Sequence, residues 1–94
     1  MRIISQDGGY DCPYEKCCIW LDGRGPIVKC SPVDELGRFY VLAIYSTREK
    51  AIKAMELLRM RYIHSKTCET YKLGQLSYNP TFQFPEDEEM EVQQ

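Results

Sequence analysis

An α+β domain, with an antiparallel sheet of four to five strands packed by one main amphipathic helix, is the fold class that this 94-residue chain predicts. Three observations lead there. Apolar runs broken by Gly, Pro and Asp turns fill the stretch up to Tyr45, one helical-period segment follows from Ser46 to His64, and a short aromatic segment between two prolines lies near the end. Only the Ser46-Thr47 junction separates the sheet region from the helix, so the helix must fold back across the sheet.

The first strand is Met1-Arg2-Ile3-Ile4-Ser5, and Gln6-Asp7-Gly8-Gly9 has the Asp-Gly chemistry that hairpins prefer. Tyr10 to Tyr14 returns along it, with Pro13 tolerated only at an edge or bulge because it has no N–H for the ladder. Glu15 to Leu21 is the next strand, ended by Asp22-Gly23-Arg24-Gly25-Pro26. Ile27 to Cys30 follows, and Ser31-Pro32 interrupts it. Gly37 to Tyr45 is the longest apolar run, and its continuity predicts a central strand.

For the helix, Ser46 and Glu49 stand in the S-x-x-E relation of a capping box. Ala51, Ala54, Met55, Leu58 and Tyr62 recur three or four apart and form one face, widened by Leu57 and Ile63. Lys50, Lys53, Arg61 and in part Arg59 point away, which gives the helix, from about Thr47 to His64, a basic side. Beyond Ser65 the pattern weakens: Thr67 to Tyr71 reads as strand or loop and Lys72 to Gln75 as a turn. Tyr78-Asn79-Pro80-Thr81-Phe82-Gln83-Phe84-Pro85 is pinned by prolines that discourage helix.

At this length a single domain, residues 1–84, is expected, with a core small enough that oligomerisation would help it. An apolar fraction of 44% with seven Tyr, three Phe and one Trp excludes a disordered body. No apolar run is long enough for a membrane span and the first residues lack a signal-peptide core, so a cytoplasmic location is expected. In that reducing setting the five cysteines read as free thiols packing as small hydrophobes, since no C-x-x-C pair is present. A site from Cys12, Cys17 or Cys18, Cys30 and His64 can be drawn, but its spacing is not that of the usual zinc modules, so no metal site and no cofactor are expected.

The formal charge of −2 hides an asymmetry. Residues 85–94 carry five acids and no base, leaving 12 basic and 9 acidic side chains, or +3, on the first 84 residues. Residues 85–94 therefore read as an acidic, disordered tail: a solvated end, a mimic of phosphate charge, or a flap competing for the body's own basic groove.

Candidate binding residues follow from chemistry. Arg24 lies between two glycines in a turn whose N–H groups could hold phosphate, or it is a solvated hairpin tip. Arg48, Lys50 and Lys53 crowd the helix start, where they oppose the macrodipole and could, with the open N–H groups, attract an anion. The segment Tyr78 to Phe84 offers aromatic faces for stacking and Asn79 for polar edges, or closes the core as a last edge strand. The only histidine, His64, has no sequence-near catalytic partner, so catalysis is not expected.

Met1 to Gly8, Asp11-Cys12-Pro13-Tyr14-Glu15, Tyr45 to Ala51 with Ala54 to Arg59, and Phe82-Gln83-Phe84-Pro85 together resemble a family of small proteins carried by phages and mobile elements of Gram-positive bacteria. The layout, sheet first, then one helix and an aromatic-polar segment, is similar to the phage sponge proteins that counter the Thoeris defence. That resemblance implies non-enzymatic capture of cyclic ADP-ribose isomers or cyclic oligonucleotides in oligomer pockets. It implies Arg59, Tyr78, Asn79 and Phe82 as ligand-cradling residues, and Arg24 and Arg38 as a second phosphate-binding surface.

The expected function is therefore sequestration of a small phosphorylated nucleotide signal by a homodimer, or a higher homo-oligomer, joined through apolar helix surface. The rival is a protein-binding inhibitor of a host defence or regulatory factor, using the acidic tail to occupy a basic surface. Nucleic acid is a poor partner for a body of only +3 beside an acidic tail.

Overall fold

In the computed structural model, which describes residues 1–35, 37–71 and 81–90, the chain opens with the predicted hairpin. Strands β1 (Arg2–Ile4) and β2 (Asp11–Pro13) run antiparallel with Ile3 opposite Cys12. Asp7 shapes the turn: its Oδ1 accepts from the Gly9 N–H at 2.9 Å and the Ser5 hydroxyl at 2.7 Å, while Ser5 Oγ accepts from the Tyr10 N–H at 2.9 Å. Gly8 takes φ +78°, the left-handed conformation that favours glycine. Ser5 is buried with both its hydroxyl functions used, so it costs the core little.

A single 3-10 turn, Tyr14–Lys16, then leads into an antiparallel meander of β3 (Cys17–Leu21), β4 (Ile27–Pro32) and β5 (Tyr40–Ile44), in spatial order β3-β4-β5. The strands thus divide into two three-stranded sheets, where one antiparallel sheet of four to five was expected. Pro13 ends β2 and the 3-10 turn redirects the chain, so β2 and β3 share no ladder. The first sheet is completed from the far end of the chain by β6 (Thr81–Gln83), parallel to β1 with Phe82 opposite Ile3. Its order is β2-β1-β6, which leaves Pro13 on an edge strand.

The strand expected to be central, β5, lies at the edge of its sheet. Its long apolar run reflects a bulge: Val28 pairs with Ala43 and Lys29 with Val41, so Leu42 is an extra residue and both Leu42 and Ala43 are buried. Val41 and Ile44 face out, 44% and 56% exposed. The outer edge of β5 is closed by Gln6, whose N–H donates to the Leu42 carbonyl at 2.7 Å and whose Oε1 accepts from the Ile44 N–H at 3.1 Å. β4, extended through Ser31 and Pro32, is the central strand.

Helix α1 spans Arg48–Tyr71. Its start lies one residue later than the capping box predicts, because Thr47 Oγ1 accepts from the Lys50 N–H at 3.2 Å and the Ser46 N–H is engaged by Asp87 Oδ1 at 2.6 Å. Ala51, Ala54 and Leu58 are buried and Met55 and Tyr62 half-buried, the stripe that the spacing predicts. Ile63 is 64% exposed and lies off it. Thr67 to Tyr71, read as strand or loop, continue the helix: no Gly or Pro intervenes, and each added residue gains a backbone bond with no new nucleation cost.

After β6 the chain stays packed. The Phe84 N–H donates to the Ile4 carbonyl at 3.1 Å, and its ring, 1% exposed, sits in the core with Ile3, Val28, Cys30, Leu42 and Leu58. The Pro85 carbonyl accepts from Gln6 Nε2 at 3.1 Å and Tyr45 Oη at 2.8 Å. Glu86 and Glu89 cap a 3-10 turn, Asp87–Glu89, and Met90 returns to the core, 5% exposed. Residues 85–90, expected as the start of a disordered acidic tail, are thus docked on the body, because Phe84 and Met90 anchor the acids from both sides. Residues 91–94 lie outside the described residues. Among the described residues, no helix is long and apolar enough to cross a membrane.

Replacing Phe84 by Ala is expected to cost about 3–5 kcal/mol by loss of buried ring and the cavity left behind, whereas Ile63→Ala should stay within about 0.5 kcal/mol. Urea unfolding of both variants checks this, and a comparable loss in each would contradict the described core.

Candidate functional site

The candidate site forms where β6 meets α1. Phe82 and Phe84 are two residues apart on a strand, so they share a face, and their rings meet edge to face with centroids 5.2 Å apart. Phe84 goes into the core, while Phe82 stays half-buried at its margin. Across from it, Leu57, Met60, Arg61 and His64 complete a groove of about 300 Å³. Arg61 Nη2 donates to the Thr81 carbonyl at 3.3 Å, which holds the guanidinium beside β6. The result is an apolar floor with an aromatic ring and a cationic, imidazole-bearing rim.

The expected ligand residues divide. Phe82 is in the groove. Arg59 is exposed on the helix and outside it, because two residues correspond to about 200° of rotation and put Arg59 and Arg61 on opposite sides. Tyr78 and Asn79 lie outside the described residues. Leu57, Met60, Arg61 and His64 were not singled out together, although their spacing of three, four and seven marks a second helical face beside the buried stripe.

Arg24 and Arg38 do not share one surface. They occupy the turns that precede and follow β4, which an antiparallel meander puts at opposite ends of that strand, roughly 17 Å apart. The Arg24 turn also presents oxygen where N–H groups were expected: the Asp22 and Gly25 carbonyls accept from Arg48 Nη1 at 3.2 and 3.1 Å. Arg24 itself is an exposed tip. Arg38 is likewise exposed, and its carbonyl accepts from the Ser31 hydroxyl at 2.6 Å.

At the helix start an anion is present, and the chain supplies it. Asp87 accepts the Ser46 N–H through Oδ1 and lies 3.3 Å from Lys50 Nζ through Oδ2, and Lys50 also reaches the Asp87 carbonyl at 3.3 Å. One acid thus offsets basic charge that the macrodipole disfavours and takes up an N–H beside the first turn. The Ser46 N–H, with Lys50 after it, holds the Asp87 carboxyl below the usual carboxylate range.

Three thiols of the site that the spacing argues against do meet: the Sγ atoms of Cys12, Cys17 and Cys30 all lie within 4.8 Å of one another. They form a possible ligand set for a soft metal ion. Comparison with protein-family models, curated proteins and solved structures finds no match to this chain.

Because the Asp87 pKa is depressed by folding, its contribution is present above the ordinary aspartate value near 3.8 and is lost as pH falls through the lower folded value. Asp87→Asn should therefore lower the urea midpoint at neutral pH. The gap from the unsubstituted protein should close as pH drops below about 4; a gap that persists unchanged at pH 2 would remove Asp87 as the titrating cap.

Proposed function

We propose that this protein captures a small anionic ligand of the nucleotide class between α1 and β6 and holds it without breaking a bond. The groove around Phe82 carries this reading. An aromatic ring with Leu57 and Met60 suits the flat face of a base, and Arg61 at the rim suits a phosphate oxygen through a charge-assisted hydrogen bond. His64 adds a second polar contact at the same rim. The resemblance to the anti-defence sponges implies capture of the same ligand class, with Arg61 here in the role that the resemblance gave to Arg59.

The size of the groove points to a second copy. About 300 Å³ is at the lower limit for small-molecule sites, enough for one nucleoside unit of a cyclic dinucleotide or a cyclic ADP-ribose isomer. On the outward side of α1, Ile52, Met60 and Ile63 are exposed, and Met60 belongs both to that surface and to the groove. A homodimer through this surface would add a wall to the site while covering apolar area. The rival reading, an inhibitor acting through an acidic tail, is less favoured because Asp87 caps the helix, Glu86 and Glu89 cap each other's turn and Met90 is buried.

A thermal-shift screen against cyclic ADP-ribose isomers and cyclic di- and trinucleotides tests the ligand class. At 100 times its dissociation constant a true ligand adds about 2.7 kcal/mol, a rise in Tm on the order of 10 °C for a domain of this size. Phe82→Ala and Arg61→Ala should weaken binding by about 10- to 100-fold, with Arg59→Ala and Arg38→Ala close to unchanged. Absence of any shift, or full binding by Phe82→Ala, rejects the proposal.

Sedimentation tests the second copy. The unsubstituted protein should sediment as a dimer and Ile63→Glu as a monomer; a monomer in both cases rejects the shared wall.

A further inference from the structure

We propose that Cys12, Cys17 and Cys30 form a three-thiolate site for one soft d10 metal ion, which would staple the two sheets together. The three residues come from β2, β3 and β4, so two thiols belong to the meander and one to the first sheet. A planar three-sulfur centre with bonds of about 2.3 Å puts its sulfurs about 4.0 Å apart, and the sulfurs here lie within 4.8 Å of one another. Binding therefore asks for a contraction of under about 1 Å. Cys12 and Cys30 are buried and Cys17 is half-buried, which gives the ion a dry cradle with access from one side.

Tyr10, stacked on Tyr40 with ring centroids 4.3 Å apart, packs against the core cluster that includes Cys12 and Cys30. On binding, the three S–H protons pass to solvent, three sulfur–metal bonds form and no electron is transferred. Cu(I) would be closed by three sulfurs and leave a charge of −2. Zn(II) would leave −1 and would take water as its fourth ligand on the Cys17 side.

The test uses the full reduced chain under anaerobic conditions, titrated with Cu(I) and, in a second arm, with Zn(II), each against a chromophoric chelator. One equivalent of either ion should be withheld per chain, and the arm that succeeds identifies the metal. Cys17→Ser should weaken that binding by at least about a hundredfold, the upper end of what losing even an outer-sphere partner costs. Cys18→Ser should not, since Cys18 is exposed and alternation puts it on the opposite face of β3. X-ray absorption of the loaded, unsubstituted protein needs no variant to fold and should count three sulfur neighbours. Failure of both ions to bind, retention by Cys17→Ser, or fewer than three sulfurs overturns the site.

Discussion

One glutamine joins the parts on which everything else rests. Gln6 follows β1 in the first hairpin, and its main chain and side chain together make three hydrogen bonds to other elements: to Leu42 and Ile44 on the edge of β5, and to Pro85 beyond β6. Three-stranded sheets are near the lower limit of independent stability. By satisfying an otherwise open edge of one sheet from the turn of the other, Gln6 turns two marginal sheets into one core. The Tyr45 hydroxyl shares the Pro85 carbonyl, so the end of β5 and the segment after β6 are held at the same point.

The geometry of the groove descends from that junction. With the Phe84 N–H paired to the Ile4 carbonyl and β6 parallel to β1, Phe82 and Phe84 lie on one face, Phe84 inside the core and Phe82 at its margin. α1 forms the other wall because Ala51 and Ala54 are small enough to let it lie close on the sheet while Leu58 fills the interior. Arg61 is brought to the mouth of the groove by helix rotation, and its bond to Thr81 links helix and strand directly.

The acids near the end of the chain show how composition and role can part. Five acids among residues 85–94 have the composition of a solvated segment. Two apolar residues, Phe84 and Met90, nevertheless bury themselves on either side of the first four, and Asp87 falls beside the start of α1. The basic first turn of that helix, unfavourable in isolation, is balanced from a position about 40 residues away in the chain. The same logic applies to the thiols: each cysteine alternates into its own strand for packing reasons, and only the crossing of two sheets makes three of them neighbours.

Local periodicity and turn chemistry were sufficient for the first hairpin, for the positions of the meander strands and for the buried stripe of α1, because each depends on residues within about four positions of one another. Phe82 was legible as an aromatic on a short proline-bounded strand for the same reason. The division into two sheets, the edge position of β5, the capping of α1 by Asp87 and the placing of Arg61, not Arg59, beside β6 were not. They are set by pairings between residues far apart in sequence: Gln6 with Ile44, Ile3 with Phe82, Ser46 with Asp87 and Arg61 with Thr81. A chain's own pattern shows which side of an element is apolar, and only the assembled fold decides which distant group meets it.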